Sequence, residues 1–177
     1  MRHVLRFPLI LAIAAALSPA YGCAAILQHA AEASGETPIA ADHGPVRMTA
    51  DEYHVLQETN AFRTAHGLPA LEPDERLVEV ARSRSDDMAK HDYFSHQSPN
   101  GGDVFSMMHA LHIYYALAGE NIARNAYGKR AADVAVRGWI DSPGHRANIL
   151  HPGFGHIGIG IEKDKQGRTY LTEVFTE

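Results

Sequence analysis

Three side chains stand out for their chemistry: His96 in "YFSH", Glu120 in "AGENIA" and His145 in "SPGHRANIL". Each falls where a helix-like or strand-like pattern breaks, and sites are built disproportionately on segments that leave a rigid scaffold. Two imidazoles and a carboxylate are a workable set for zinc, with water in an open coordination position. The same set could run a metal-assisted hydrolysis, with Glu120 as the general base acting on that water. The separations are about two dozen residues each and match no compact metal motif such as H-E-x-x-H, whose histidines share one helix face. Spacing alone therefore does not show that the three converge. A structural role for Glu120 and Asn121, capping a helix or satisfying buried backbone donors, stays open beside the chemical one. A serine nucleophile is the other enzymatic reading. Ser95 precedes His96 and Ser142 lies near His145, but a triad needs hydrogen-bond reach and an oxyanion hole. Side chains adjacent in the chain seldom face each other, and Ser142 fits a local turn bond ahead of Pro143 better.

The elements that must position these groups read as helices followed by a hairpin. "TADE" carries Thr49 with Glu52 three residues on, a capping-box pattern that opens a helix. Val55, Leu56, Thr59 and Phe62 follow at helical spacing and Gly67 offers a stop. A second helix is predicted over 74–90, with Leu77, Ala81 and Met88 on one face. The turn-rich loop 93–102 then carries His96. A third helical piece is predicted over 104–115 and a fourth over 130–140, where Ala131, Val134, Ala135, Gly138 and Trp139 form one stripe. Directly after it the chain breaks at Pro143 and Gly144 and presents His145 and Arg146. In the tail Ile157, Ile159 and Ile161 alternate with Gly158 and Gly160, "KDKQG" is a turn, and 169–175 has strand propensity throughout. Helices first and a hairpin last predict an α+β domain, with helices packed on a small antiparallel sheet. Trp139 is expected in the core. Tyr93 and Phe94 are expected to pack, Arg146 and Asn148 to brace their loop, and His91, His109, His112, His151 and His156 to be exposed or structural.

The first 22 residues read as a secretory leader. Arg2, His3 and Arg6 precede the apolar run 7–17, which is shorter than the roughly 20 residues a membrane helix needs. Two cleavage readings compete. "AYG" suits ordinary signal cleavage, whereas "PAYGC" would make Cys23 a lipidated first residue anchored to the membrane. Cys23 is the only cysteine, so no disulfide within the chain is available. Residues 23–48 are Ala-rich without a firm amphipathic period and read as a flexible tether, leaving 49–177 as the domain. The chain has 16 Lys and Arg against 21 Asp and Glu, and losing a leader with Arg2 and Arg6 would push it further negative. That balance argues against a nucleic-acid partner. The reading is an extracytoplasmic protein, secreted, periplasmic or lipid-anchored.

"FSHQSPNG", "GENIA", "GWIDSPGHRANIL" and "IGIGI" occur in that order. Together they resemble the signature blocks of bacterial CAP-superfamily domains, the cysteine-rich secretory, antigen 5 and pathogenesis-related (SCP-like) group, over about residues 52–175. The resemblance implies an α-β-α sandwich with a central cleft. It also implies a His/Glu set lining that cleft, in which His96 and His145 match the histidines that hold zinc or another divalent cation in some members, and Glu120 matches the glutamate beside them. A second family acid would fall at Ser142, so Asp141 is the nearest candidate. Members of the family are linked to lipid or sterol binding, to interactions with other cells and to proteolysis, and a lipid or cell-envelope component is the partner class carried forward. A binding module and a hydrolase are therefore both carried forward.

Overall fold

The structure, a computed structural model, describes residues 46–177. The expected leader, Cys23 and nearly all of the tether lie outside the described residues. Helix α1 spans Ala50–Ala65, α2 Glu75–Lys90, α3 Val104–Ala110, α4 Ala131–Asp141 and α5 Pro143–Ile149. Strands β1 (Glu72–Pro73), β2 (Ala118–Asn125), β3 (His156–Lys163) and β4 (Thr169–Thr176) form one sheet in the order β1-β3-β4-β2. The β3–β4 hairpin and the β2–β4 pair are antiparallel, and β1 adds a two-residue parallel pairing to β3 that the sequence reading did not contain.

Local chemistry sets the helix ends. The capping box is present: Glu52 N donates to Thr49 Oγ1 at 3.2 Å and Thr49 N to Glu52 Oε2 at 2.7 Å. At the other end Gly67 takes a left-handed φ of 77° and Leu68 N donates back to Arg63 O, which closes α1. Helix α3 is shorter than the expected 104–115. His112 adopts φ 55° and Ile113 N returns to Met108 O, so the same left-handed closure, here without glycine, ends the helix before Tyr114. The break at Pro143 is likewise not a loop. Proline suits the first helical position, where its missing N–H costs nothing, and α5 begins there.

Alternation along the strands makes two layers around the sheet. Leu171 and Phe175 of β4 and Ile157 and Ile159 of β3 pack with Val55, Ala135, Trp139 and Ile149 of α1, α4 and α5. On the opposite face Val174 packs with Leu77, Val80 and Ala81 of α2 and with Val104 and Met108 of α3. This is the expected α-β-α sandwich. Gly158 and Gly160 explain how close its layers come. A Cβ on Gly158 would overlap the backbone carbonyl group of Leu77, and one on Gly160 the peptide between Ala81 and Arg82. Helix α2 therefore lies directly on the bare backbone of β3. Trp139 fills the other layer, 1% exposed, with its Nε1–H donated to Ile122 O at 3.0 Å.

Candidate functional site

Strand β2 is an edge strand, paired only to β4, and both layers reach round it. Glu120 pairs with Val174 and so faces α2, whereas Asn121 pairs with Glu173 and faces the α4–α5 layer. This corrects the expectation that Glu120 sits at a break between elements. "GENIA" is a strand, made inconspicuous by its Gly, Glu and Asn, and its register fixes on which face each polar side chain emerges.

Glu120 is buried, its side chain 3% exposed, and both oxygens are engaged. Oε1 accepts from Arg84 Nε at 3.1 Å, and Oε2 bonds His96 Nδ1 at 2.6 Å. The His96 side chain is 57% exposed, and its other nitrogen, Nε2, makes no hydrogen bond among the described residues. Glu120 raises the His96 pKa by accepting the Nδ1 proton, against partial burial and the charge of Arg84. His145 lies on the first turn of α5, half-buried. Its pKa is lowered, first by burial and then by the nearby charge of His96. His96 bonds Glu120 of β2 and the neighbouring Asn121 bonds the His145 carbonyl, so both histidines flank the cleft at the β2 edge.

The α5 side is held by amides. Asn121 Nδ2 donates to His145 O at 3.2 Å and to Glu173 Oε2 at 3.1 Å. Asn148 Nδ2 donates to Asn121 Oδ1 at 2.9 Å and to Glu120 O at 3.2 Å. Asn148 thus braces α5 on β2 as expected, and Arg146 makes one exposed bond to Ile140 O. Arg63, fully buried on α1, donates to the carbonyl oxygens of Pro69, Ile149, His151 and Phe154 and pins the end of α5. Burial lowers its pKa. Beside the cleft a groove of about 300 Å³ runs between β2 and α4, lined by Phe94, Ile122, Arg124, Val134, Trp139 and His145. The Arg124 guanidinium lies 5.2 Å from the Phe94 ring centroid.

Other candidates fall away from this arrangement. Asp141 is exposed at the end of α4 and does not line the groove that Ser142 and His145 share. Ser142 is the N-cap of α5 and makes no capping bond with its hydroxyl, so the expected turn bond is not formed. Ser95 Oγ accepts from Gln97 N. Among the described residues neither serine bonds a histidine. Glu120 and Asn121 cap no helix; Glu120 fixes the His96 side chain and Asn121 holds the first turn of α5.

The residues that the sequence reading missed are Arg84, Arg63 and Glu173. Each had a signal, a charge placed on an apolar period. Arg84 lies on the Leu77–Ala81–Met88 stripe of α2, Arg63 four residues after Thr59 on α1, and Glu173 between Leu171 and Phe175 on the core face of β4.

Among the described residues, no three His, Cys, Asp or Glu side chains are grouped to hold a metal ion. The donors that the family resemblance implies here are the imidazoles of His96 and His145. The Glu120 carboxylate on Nδ1 of one ring is the outer partner that metal-binding histidines usually have. No described helix is long and apolar enough to cross a membrane.

Known proteins are similar to this chain in sequence and fold. The chain is 43% identical over 130 residues to the uncharacterized protein YkwD of Bacillus subtilis (strain 168), covering 73% of this chain and 49% of that one. It is 39% identical over 128 residues to the uncharacterized membrane protein YlbC of the same organism, covering 72% and 35%. The chain thus spans less than half the length of these curated relatives. Among solved structures, an extracellular SCP-domain protein of Bacillus anthracis superposes with a TM-score of 0.64 at 30% identity, over 76% of this chain and 45% of that one. The sequence profile of the cysteine-rich secretory protein family matches residues 56–176, and the chain belongs to that CAP family.

Proposed function

We propose that this is an exported CAP-domain binding module whose cleft holds a divalent cation, zinc being the first to test, through His96 Nε2 and the His145 ring. The observation that carries the reading is the 2.6 Å bond from His96 Nδ1 to a buried carboxylate. It fixes the ring and leaves the other nitrogen free to ligate. When bound, the cation would act as a Lewis acid toward an oxygen of a ligand. Glu120 holds the imidazole, Asn121 and Asn148 hold the His145 turn, and the adjacent groove offers apolar contact to the rest of the ligand, in keeping with a lipid or another cell-envelope component. Turnover with Glu120 as general base is the less favoured reading, because Arg84 and His96 already occupy its two oxygens. Export with a leader ending near residue 22, and lipidation at Cys23, accord with an extracellular relative and belong to the same proposal.

Calorimetric zinc titration is expected to show one-to-one binding in the parent, loss of the site in the His96→Ala/His145→Ala double variant, and weakening in each single variant. Both rings must be neutral to ligate. Because Glu120 raises the His96 pKa, affinity is expected to start falling, on lowering the pH, above the 6.5 of an ordinary imidazole. Binding untouched by the double variant would refute the site.

A further inference from the structure

We infer that Arg84 is the positioning residue of this cleft: one guanidinium fixes both the carboxylate and the backbone that orient the His96 ring. Arg84 is fully buried in the apolar stripe of α2. A guanidinium there is costly unless its donors are used. They are. Nε donates to Glu120 Oε1 at 3.1 Å, one terminal nitrogen to the Tyr93 hydroxyl, and the other to Ser95 O. Asp87 Oδ2, on the same helix, lies 3.5 Å from the first terminal nitrogen and also accepts from the Tyr93 hydroxyl.

The targets matter more than their number. Ser95 O belongs to the peptide that leads into His96, and Glu120 is the carboxylate that holds His96 Nδ1. The two constraints that aim the ring, one through the backbone and one through the side chain, therefore meet on Arg84. A planar fork reaches both at once. A lysine carries its three donors on one nitrogen at the end of a flexible stem and does not span both targets as the fork does. Arg84 touches no ligand position; it acts by keeping Nδ1 turned inward and Nε2 turned to the cleft. Its meaning for cation binding rests on the two-histidine reading, but its effect on the ring does not.

The test reads the ring without metal. Long-range proton–nitrogen spectra, at one pH above the raised titration of His96, report which nitrogen carries the proton. The parent is expected to show a single Nδ1–H form, because Glu120 can only accept. Arg84→Lys and Arg84→Gln are expected to shift His96 to a mixture containing the Nε2–H form. Tyr93→Phe, which leaves the bonds to Glu120 and Ser95 in place, is expected to keep the parent form. An unchanged single Nδ1–H form in Arg84→Lys or Arg84→Gln overturns the inference. Should neither variant fold, the parent decides alone. A slowly exchanging Arg84 Nε–H with restricted guanidinium rotation supports the fork, and a freely rotating, rapidly exchanging one refutes it. Absence of zinc binding with these ring results intact would count against the cation site and leave the role of Arg84 standing.

Discussion

Gly160→Ala is expected to destabilise the domain by roughly 3 kcal/mol or more, the upper end of what overpacking costs in a well-packed interior. The added carbon would overlap the peptide joining Ala81 to Arg82, which is helix backbone and cannot rotate away as a side chain can. Helix α2 would have to lift off β3. That movement would loosen the bond Ser85 Oγ donates to Gly160 O and the one it accepts from Thr172 Oγ1, both 2.9 Å, and open the layer holding Leu77 and Val80. It would also displace Arg84, three residues along the same helix, and the cleft with it. Denaturant unfolding of the parent and the variant measures the loss. Gly167→Ala is not the right control, because its left-handed φ of 80° adds strain of another kind. Gly138→Ala is, since nothing lies within 4 Å of a Cβ there, and it is expected to fold normally. A Gly160→Ala protein as stable as the parent would show that the layers are not in backbone contact.

Stability is also expected to decline as the pH rises from 4.5 to about 7, and Glu173→Gln to remove most of that decline. Glu173 is fully buried on the core face of β4, accepting from the Thr59 hydroxyl at 2.6 Å and from Asn121 Nδ2 at 3.1 Å, with no cationic side chain bonded to it among the described residues. Burial outweighs both bonds and pushes its pKa from 4.5 up to about 7. Between those values the folded protein holds a proton that the unfolded chain has released. Folding is therefore favoured at the acid end, and the contribution is lost by about 3 kcal/mol as the pH climbs through the window. The raised pKa of His96 acts in the same direction but on a largely exposed ring. The lowered pKa values of Glu52 and Asp74 act only below this window, where stability falls as their carboxylates become protonated. Unfolding free energies at several pH values, for the parent and Glu173→Gln, separate the terms. Parallel profiles would contradict the assignment to Glu173.

The parts of this protein that were legible in sequence are those whose signal is local. The Thr49–Glu52 box, the Trp139 stripe and the Ile/Gly alternation of β3 each follow from neighbours within a few residues. What was not legible depends on distant partners. "GENIA" is a strand because β4 pairs along its whole length, not because its residues favour one. Convergence of His96 and Glu120 needs the register of β2 and the reach of Arg84 from α2, and spacing along the chain carries neither. The family blocks supplied that convergence before the geometry did. The buried charges Arg63, Arg84 and Glu173 were visible only as residues out of keeping with an apolar period, and such a residue deserves the question of what meets it.

The central claim is that His96 and His145 act together on one cation. Imidazole nitrogen spectra recorded through a zinc titration test it most directly. The account predicts that the His96 Nε2 and His145 ring signals move together and stop at one equivalent, while His91, His109 and His112 stay fixed. Independent movement of the two, or movement confined to the exposed histidines, would contradict it.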